Sequence, residues 1–244
     1  MAGFTFYGDL LGIGAAYQLS TQAAYEKLNR FYSIVFERLQ GLCRHEGLKV
    51  NLFSDSVLIW GDNAVEILVP LEGVYRELFR HNALLRGAMV EDKLERDPRV
   101  EVKNLQKFLP TNDTLARAVG LEESTKGARL LISSKLGQDL LADVAPWRTV
   151  EGYISDAHAE IPVNSILRRI CPSPEGKSYE LLYFWSTDEV DDFNYTEGKA
   201  SLREISKYLL PPQAIHYRQT IGVIERSEAR ERHTRRALRA QPSD

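Results

Sequence analysis

The run Leu48-Lys49-Val50-Asn51-Leu52-Phe53-Ser54-Asp55-Ser56-Val57-Leu58-Ile59-Trp60-Gly61 constrains the fold more than any other stretch of the chain. Two apolar, β-prone segments flank a Ser-Asp-Ser centre too short for a surface loop, so the run predicts a tight β-hairpin with a carboxylate at its tip. An acid placed there forms the turn or binds something positive. A second segment, Phe4-Thr5-Phe6-Tyr7-Gly8-Asp9-Leu10-Leu11-Gly12-Ile13-Gly14, reads as a buried strand that also ends on an aspartate, followed by a glycine-rich turn into a helix. Two strand-end aspartates on adjacent strands suit hard divalent cations, which prefer carboxylate and phosphate oxygens. Taken singly, each is equally a helix cap or turn residue.

The chain is long enough to build a core behind such a site. With 244 residues and 43% hydrophobic content it suits one large domain, or one domain with an extension. A net charge of −3 announces neither nucleic acid nor an anionic membrane as partner. No apolar run reaches the roughly 18 residues of a membrane span and the N-terminus lacks a secretion signal, so a cytoplasmic protein is expected. Cys43 and Cys171 have no thiol or histidine at metal-ligand spacing and read as buried free thiols, not as a zinc site.

Along the chain, Ser20 or Thr21 caps a helix whose Tyr25, Leu28, Tyr32, Val35, Leu39 and Leu42 recur at spacings of three and four, a stripe expected to lie across a sheet. Asn63 caps a second helix, with Leu68, Leu71, Tyr75 and Leu78 on one face, and residues 83 to 90 read as a fourth strand. Residues 91 to 110 predict a long hairpin or flap, Thr111 to Glu123 a third helix, Ala128 to Ser133 a fifth strand, and the segment to Leu141 a short helix. The order β-α-β-β-α-β with further αβ units predicts an α+β fold, a ferredoxin-like antiparallel sheet with helices on one face. Beyond residue 145 the pattern weakens. Tyr179 to Trp185 reads as a strand after the turn-rich Cys171 to Lys177, Gly198 to Leu210 as a helix, and Pro211 to Leu238 as an arginine-rich helix. That basic helix suits a solvated face or dimer arm better than an RNA contact, because no aromatics interleave it after Tyr217.

Phe-Tyr-Gly-Asp-Leu-Leu-Gly at 6 to 12, Leu-Phe-Ser-Asp-Ser at 52 to 56, Leu-Arg-Gly-Ala at 85 to 88 and Ala-Arg-Leu-Leu-Ile-Ser-Ser at 128 to 134, in this order and at these intervals, resemble the catalytic domain of class III nucleotide cyclases. Within that superfamily the chain most resembles the pyrimidine cyclases of bacterial Pycsar antiphage systems, which make cyclic UMP or cyclic CMP. The resemblance covers about residues 3 to 185 and rests on order and spacing. It implies a catalytic domain at 1–190 with a C-terminal helical extension at 191–244, and a homodimer with active sites at the interface. It also implies that the 3′-hydroxyl of a nucleoside triphosphate attacks its own α-phosphorus and releases pyrophosphate, a reaction run mainly by positioning and charge neutralisation. Two Mn²⁺ or Mg²⁺ ions are then expected on Asp9, Asp55 and the backbone carbonyl of Leu10. Gly12 and Gly14 would offer amides to the β- and γ-phosphates, and Arg86 and Lys177 match positions that contact phosphate.

In the purine cyclases of the family the residue four before the second metal aspartate reads the base, as lysine for adenine or glutamate for guanine. Asn51 stands there, and its amide has one acceptor and two donors that match either uracil or cytosine. A pyrimidine is therefore favoured over a purine, and Asn51 does not decide uracil against cytosine; the expected substrate is UTP, with CTP next, and bonding to a neighbouring backbone group is the plainer role for Asn51. The chain departs from the family at the Asn-x-x-x-Arg pair that stabilises the transition state. Matching Leu121-Glu122 to the family's Leu-Glu puts Ala116 and Gly120 at the paired positions, leaving Arg117, or Asn112, as the substitute from a shifted register. The competing readings are a diguanylate cyclase relative, whose Gly-Gly-Asp-Glu-Phe hairpin is replaced here by Ser54-Asp55-Ser56, a purine cyclase, and a degenerate cyclase-like nucleotide sensor.

Overall fold

The computed structural model describes residues 3–42, 47–97, 108–142, 149–154, 157–162, 166–184 and 194–239. Strict alternation sets the first strand, β1 (Phe4–Leu10): Phe4, Phe6 and Leu10 enter the main core, while Thr5, Tyr7 and Asp9 point to the other face. β1 pairs antiparallel on one side with β3 (Ser56–Gly61) and on the other with β4 (Leu85–Glu91). β3 forms the expected hairpin with β2 (Lys49–Phe53). The order β2-β3-β1-β4 is the predicted ferredoxin-like core.

One sheet face is covered by α2 (Thr21–Leu39) and α3 (Ala64–Arg80), which pack together over Phe4, Phe6, Val57, Ile59 and Met89. Asn63 caps α3 as expected, its Oδ1 accepting from Val65 N at 3.2 Å. α4 (Thr114–Glu123) lies on the opposite face, where Leu115 and Tyr7 pack with Leu58, Trp60 and Leu94. The one-faced layering of the sequence reading thus holds for the helices of the ferredoxin-like unit and omits α4.

Three local expectations are corrected. The glycine turn opens a short separate helix, α1 (Ile13–Leu19), and α2 starts afresh at Ser20, whose Oγ accepts from Ala23 N at 3.0 Å. Val35, Leu39 and Leu42 are buried and Leu28 and Tyr32 pack against the core as expected, joined by Ala24, Phe31 and Ile34, but Tyr25 at the N-terminal end of the expected stripe is exposed. β5 (Leu130–Ser133) runs parallel to β4, since α4 forms the crossover between them.

α5 (Ser134–Ala142) follows, then a two-stranded hairpin, β6 (Thr149–Ile154) with β7 (Ala157–Pro162), that no sequence signal announced. β8 (Ile170–Pro172) and β9 (Ser178–Leu181) complete the sheet beside β5. The base of the expected 91–110 hairpin is paired, by Asp97 N to Leu109 O and Thr111 N to Glu95 O, both at 3.0 Å. Its centre at 98–107, Cys43 and Trp185 lie outside the described residues.

The last two helices, α6 (Tyr195–Ser206) and α7 (Pro211–Arg239), add Leu202, Ile221, Val223 and Ile224 to the same core. Far from standing off in solvent, the first half of the basic helix is fastened to the sheet. Thr220 Oγ1 accepts from Ala128 N at 2.8 Å, and Arg226 grips the fully buried Glu180 of β9, which also binds Arg129 just before β5. Among the described residues no helix is long and apolar enough to cross a membrane.

Candidate active site

The strand registers assemble the site. Phe53, Ser56, Asp9 and Arg86 form one row across β2, β3, β1 and β4, and Asn51, Leu58, Tyr7 and Ala88 form the next on the same face. Asp55 sits in the hairpin turn beside Ser54, which is held left-handed at φ 52, a conformation costing on the order of 1 kcal/mol away from glycine. The backbone carbonyl of Asp55 accepts from Leu10 N at 2.8 Å, so the turn is tied to the residue that follows Asp9. Tyr7 Oη and Ser56 Oγ lie 3.1 Å apart, and Ser56 Oγ reaches Asp9 Oδ1 at 3.4 Å.

Electrostatics single out this corner. Burial first, and then the negative charge of Asp55, push the Asp9 carboxyl up to about 6, against the opposing pull of Arg86 and Ser56. Arg86 is the neighbour of Asp9 on β4, with Nη2 4.0 Å from Asp9 Oδ2, but its Nε donates at short range to Glu122 of α4. The Glu122 side chain is 1% exposed, and burial raises it to about 7 even with Arg86 beside it. Burial also raises the Tyr7 hydroxyl. Two carboxylates whose charges oppose each other at a half-buried strand end are a site that a cation relieves.

Those donors fit a hard divalent ion. Among the described residues no group of three or more His, Cys, Asp and Glu is placed for a metal, so Asp9 and Asp55 are a two-carboxylate set. Magnesium sites that are completed by substrate phosphate and water have this composition. Leu10 can contribute backbone only, because its side chain is in the core.

Of the residues expected at the site, Asp9, Leu10, Asp55 and Arg86 are brought together, with Gly12 (φ 85) in the turn that follows and Gly14 in the first turn of α1. Asn51 lies one row along and two strands over, which places its Cα ~12 Å from that of Asp9 on the same face. Arg117 and Lys177 are at the far end of the sheet. Arg117 binds Glu91, Asp92 and Asp113, and Glu91 pairs with Phe4, five residues and ~17 Å along β1 from Asp9. Lys177 is exposed in the β8–β9 turn beside Ser134, whose Oγ donates to its carbonyl at 2.7 Å. Within one chain neither approaches Asp9. Asn112 is held by Lys93 O and Thr114.

Sequence reading missed Glu122, Ser56 and Tyr7 as members of the site. Glu122 had a legible signal: with Thr114 and Ala118 it occupies the buried face of α4 at spacings of four, where an acid needs a partner.

No family model matches the chain, and no curated protein sequence does. The chain is similar in structure to a bacterial light-regulated adenylyl cyclase, at 12% identity over 83% of this chain and 96% of that one, with a TM-score of 0.49. It is also similar to the adenylyl cyclase CyaB from P. aeruginosa, at 13% identity over 79% and 96% of the two chains, with a TM-score of 0.46. A third is the guanylate cyclase domain of RhGC from Catenaria anguillulae in complex with GTP, at 11% identity over 73% and 93%, with a TM-score of 0.46.

Proposed function

We propose that this chain is a nucleotide cyclase that converts a nucleoside triphosphate, UTP before CTP, to its cyclic 3′,5′-monophosphate and pyrophosphate. The observation that carries the reading is the convergence of Asp9 and Asp55 on one strand-end corner, where the charge of Asp55 helps to raise the Asp9 carboxyl. Mn²⁺ or Mg²⁺ ions on these carboxylates would supply the charge that neutralises the triphosphate and eases ionisation of the 3′-hydroxyl. Asp9 and Asp55 hold the reacting end of the nucleotide, Arg86 braces Asp9 against Glu122 of α4, and the sheet face that runs to Asn51 leaves about the length of a nucleoside between base and phosphate sites.

The pyrimidine preference rests on the Asn51 amide, which carries no charge with which to select a purine as the family's readers do. The same layout supports assembly as a homodimer. Arg117 and Lys177 belong to the far end of the sheet, so their part in the chemistry requires the site of a second copy. A role in antiphage defence is carried by the resemblance to the Pycsar cyclases alone.

A second reading has one observation in its favour. Ala116 and Gly120 stand where the family keeps its transition-state pair, and Arg117 is engaged by three acids, which suits a domain that binds nucleotide without turning it over. Incubation with Mn²⁺ and a mixed pool of UTP, CTP, ATP and GTP, followed by mass spectrometry of the products, separates the two. Cyclic UMP with pyrophosphate is expected, and bound but unconverted nucleotide would favour the sensor.

A further inference from the structure

Helix α2 buries a stripe formed by Ala24, Phe31, Ile34, Val35 and Leu39. Lys27 falls on that stripe, three residues after Ala24 and four before Phe31, where an apolar side chain would be the ordinary occupant. Its ammonium instead extends to the turn after β1 and donates to Leu11 O at 2.7 Å. It lies directly above Gly12, since a Cβ at that glycine would stand 3.1 Å from Lys27 Nζ. Gly12 is thus required twice, by its left-handed backbone and by the ammonium over it.

Lys27 also has no carboxylate partner among the described residues. Burial lowers its pKa with no acid opposing the shift. The contrast with Arg86 is sharp, because that guanidinium is already neutralised by Glu122. A part-buried ammonium kept at a turn two residues past a metal-type aspartate is a standing cost that an anion would remove.

We propose that Lys27 binds the polyphosphate tail of the nucleotide, donating its two remaining N–H bonds to oxygens of the β- or γ-phosphate while the α-phosphate lies at Asp9 and Asp55. The inference rests on the nucleotide reading above and adds to it a residue from α2. Charge bookkeeping favours it: a triphosphate with two divalent ions on two aspartates leaves roughly two negative charges in excess, and Lys27 brings a cation to the turn that follows Asp9.

The test uses the full chain and two variants. Lys27→Met keeps the stem on the stripe without the charge, and Lys27→Arg restores a cation. Each is titrated with UTP, CTP, ATP and GTP in Ca²⁺, and with the monophosphate of the best-bound base by displacement of a fluorescent triphosphate. Lys27→Met is expected to weaken triphosphate binding about tenfold and to change monophosphate binding by less than about twofold, with no loss of melting temperature, and Lys27→Arg to recover most of the loss. Unchanged triphosphate affinity in folded Lys27→Met, or equal weakening of both ligands, overturns the role of Lys27 and leaves the nucleotide reading intact. A wild-type chain that binds none of the four triphosphates overturns both.

Discussion

Asp9 and Arg86 face each other across the β1–β4 ladder with 4.0 Å between carboxylate and guanidinium, yet the guanidinium bonds at short range to Glu122 on α4. Arg86 is therefore the hinge between the strand that carries the first aspartate and the helix on the same face. Its charge is committed before any substrate arrives.

Removing one partner of that pair strands the other. Arg86→Met leaves Glu122 buried without a counter-charge and is expected to destabilise the fold by about 3–5 kcal/mol, whereas the double variant Arg86→Met with Glu122→Met recovers most of the loss. Urea denaturation of the two singles and the double, read as a double-mutant cycle, measures the coupling.

The raised carboxyls give stability a pH slope of known sign. Asp9 at about 6 and Glu122 at about 7 hold protons more tightly folded than unfolded. Between pH 4 and 7 the native state therefore binds more protons, and the stability these groups contribute, fully present below their unfolded values, is lost as pH rises through the folded ones. Metal-free protein in EDTA should be less stable at pH 8 than at pH 5. Asp9→Asn should remove on the order of 1 kcal/mol of that difference, measured by denaturant titration at the two pH values.

Much of this corner was legible in the sequence because its signals are local. The apolar runs around Ser54-Asp55-Ser56 and the strand ending on Asp9 specify hairpin and strand ends within a few residues, and the register of β1 with β3 follows from alternation. Glu122 could be placed on the buried face of α4 from its spacing, but its partner 36 residues away could not be read, and Lys27 was hidden because a lone lysine in a helix reads as surface. The parallel β4–β5 pair and the seat of α7 were hidden for the same reason: Thr220 meets Ala128, and Arg226 meets Glu180, over separations that no periodicity encodes.

The α7 seat can be weighed by its two arginines. Glu180→Ala leaves Arg129, 3% exposed, with only the half-exposed Glu175 and should cost about 2–3 kcal/mol, while Arg226→Ala, which leaves Glu180 paired to Arg129, should cost about 1–2 kcal/mol. Denaturant midpoints at unchanged slope check both.

If sites are completed by a second chain, two inactive variants should complement each other. Asp55→Asn removes one of the two carboxylates proposed to hold metal and Lys177→Met an exposed far-end cation. Mixed and exchanged, the pair should regain about a quarter of wild-type cyclase activity, because half the dimers are mixed and each of those keeps one intact site. A mixture no more active than its better component would place each site within a single chain.

The most direct test of the shared cation site is Mn²⁺ binding followed by electron paramagnetic resonance, with a non-cyclisable UTP analogue present. Wild-type protein should bind two ions per chain with the analogue, and Asp9→Asn and Asp55→Asn should each lose tight binding while remaining folded. Unchanged Mn²⁺ occupancy in either variant would contradict the convergence of the two carboxylates on the same ions.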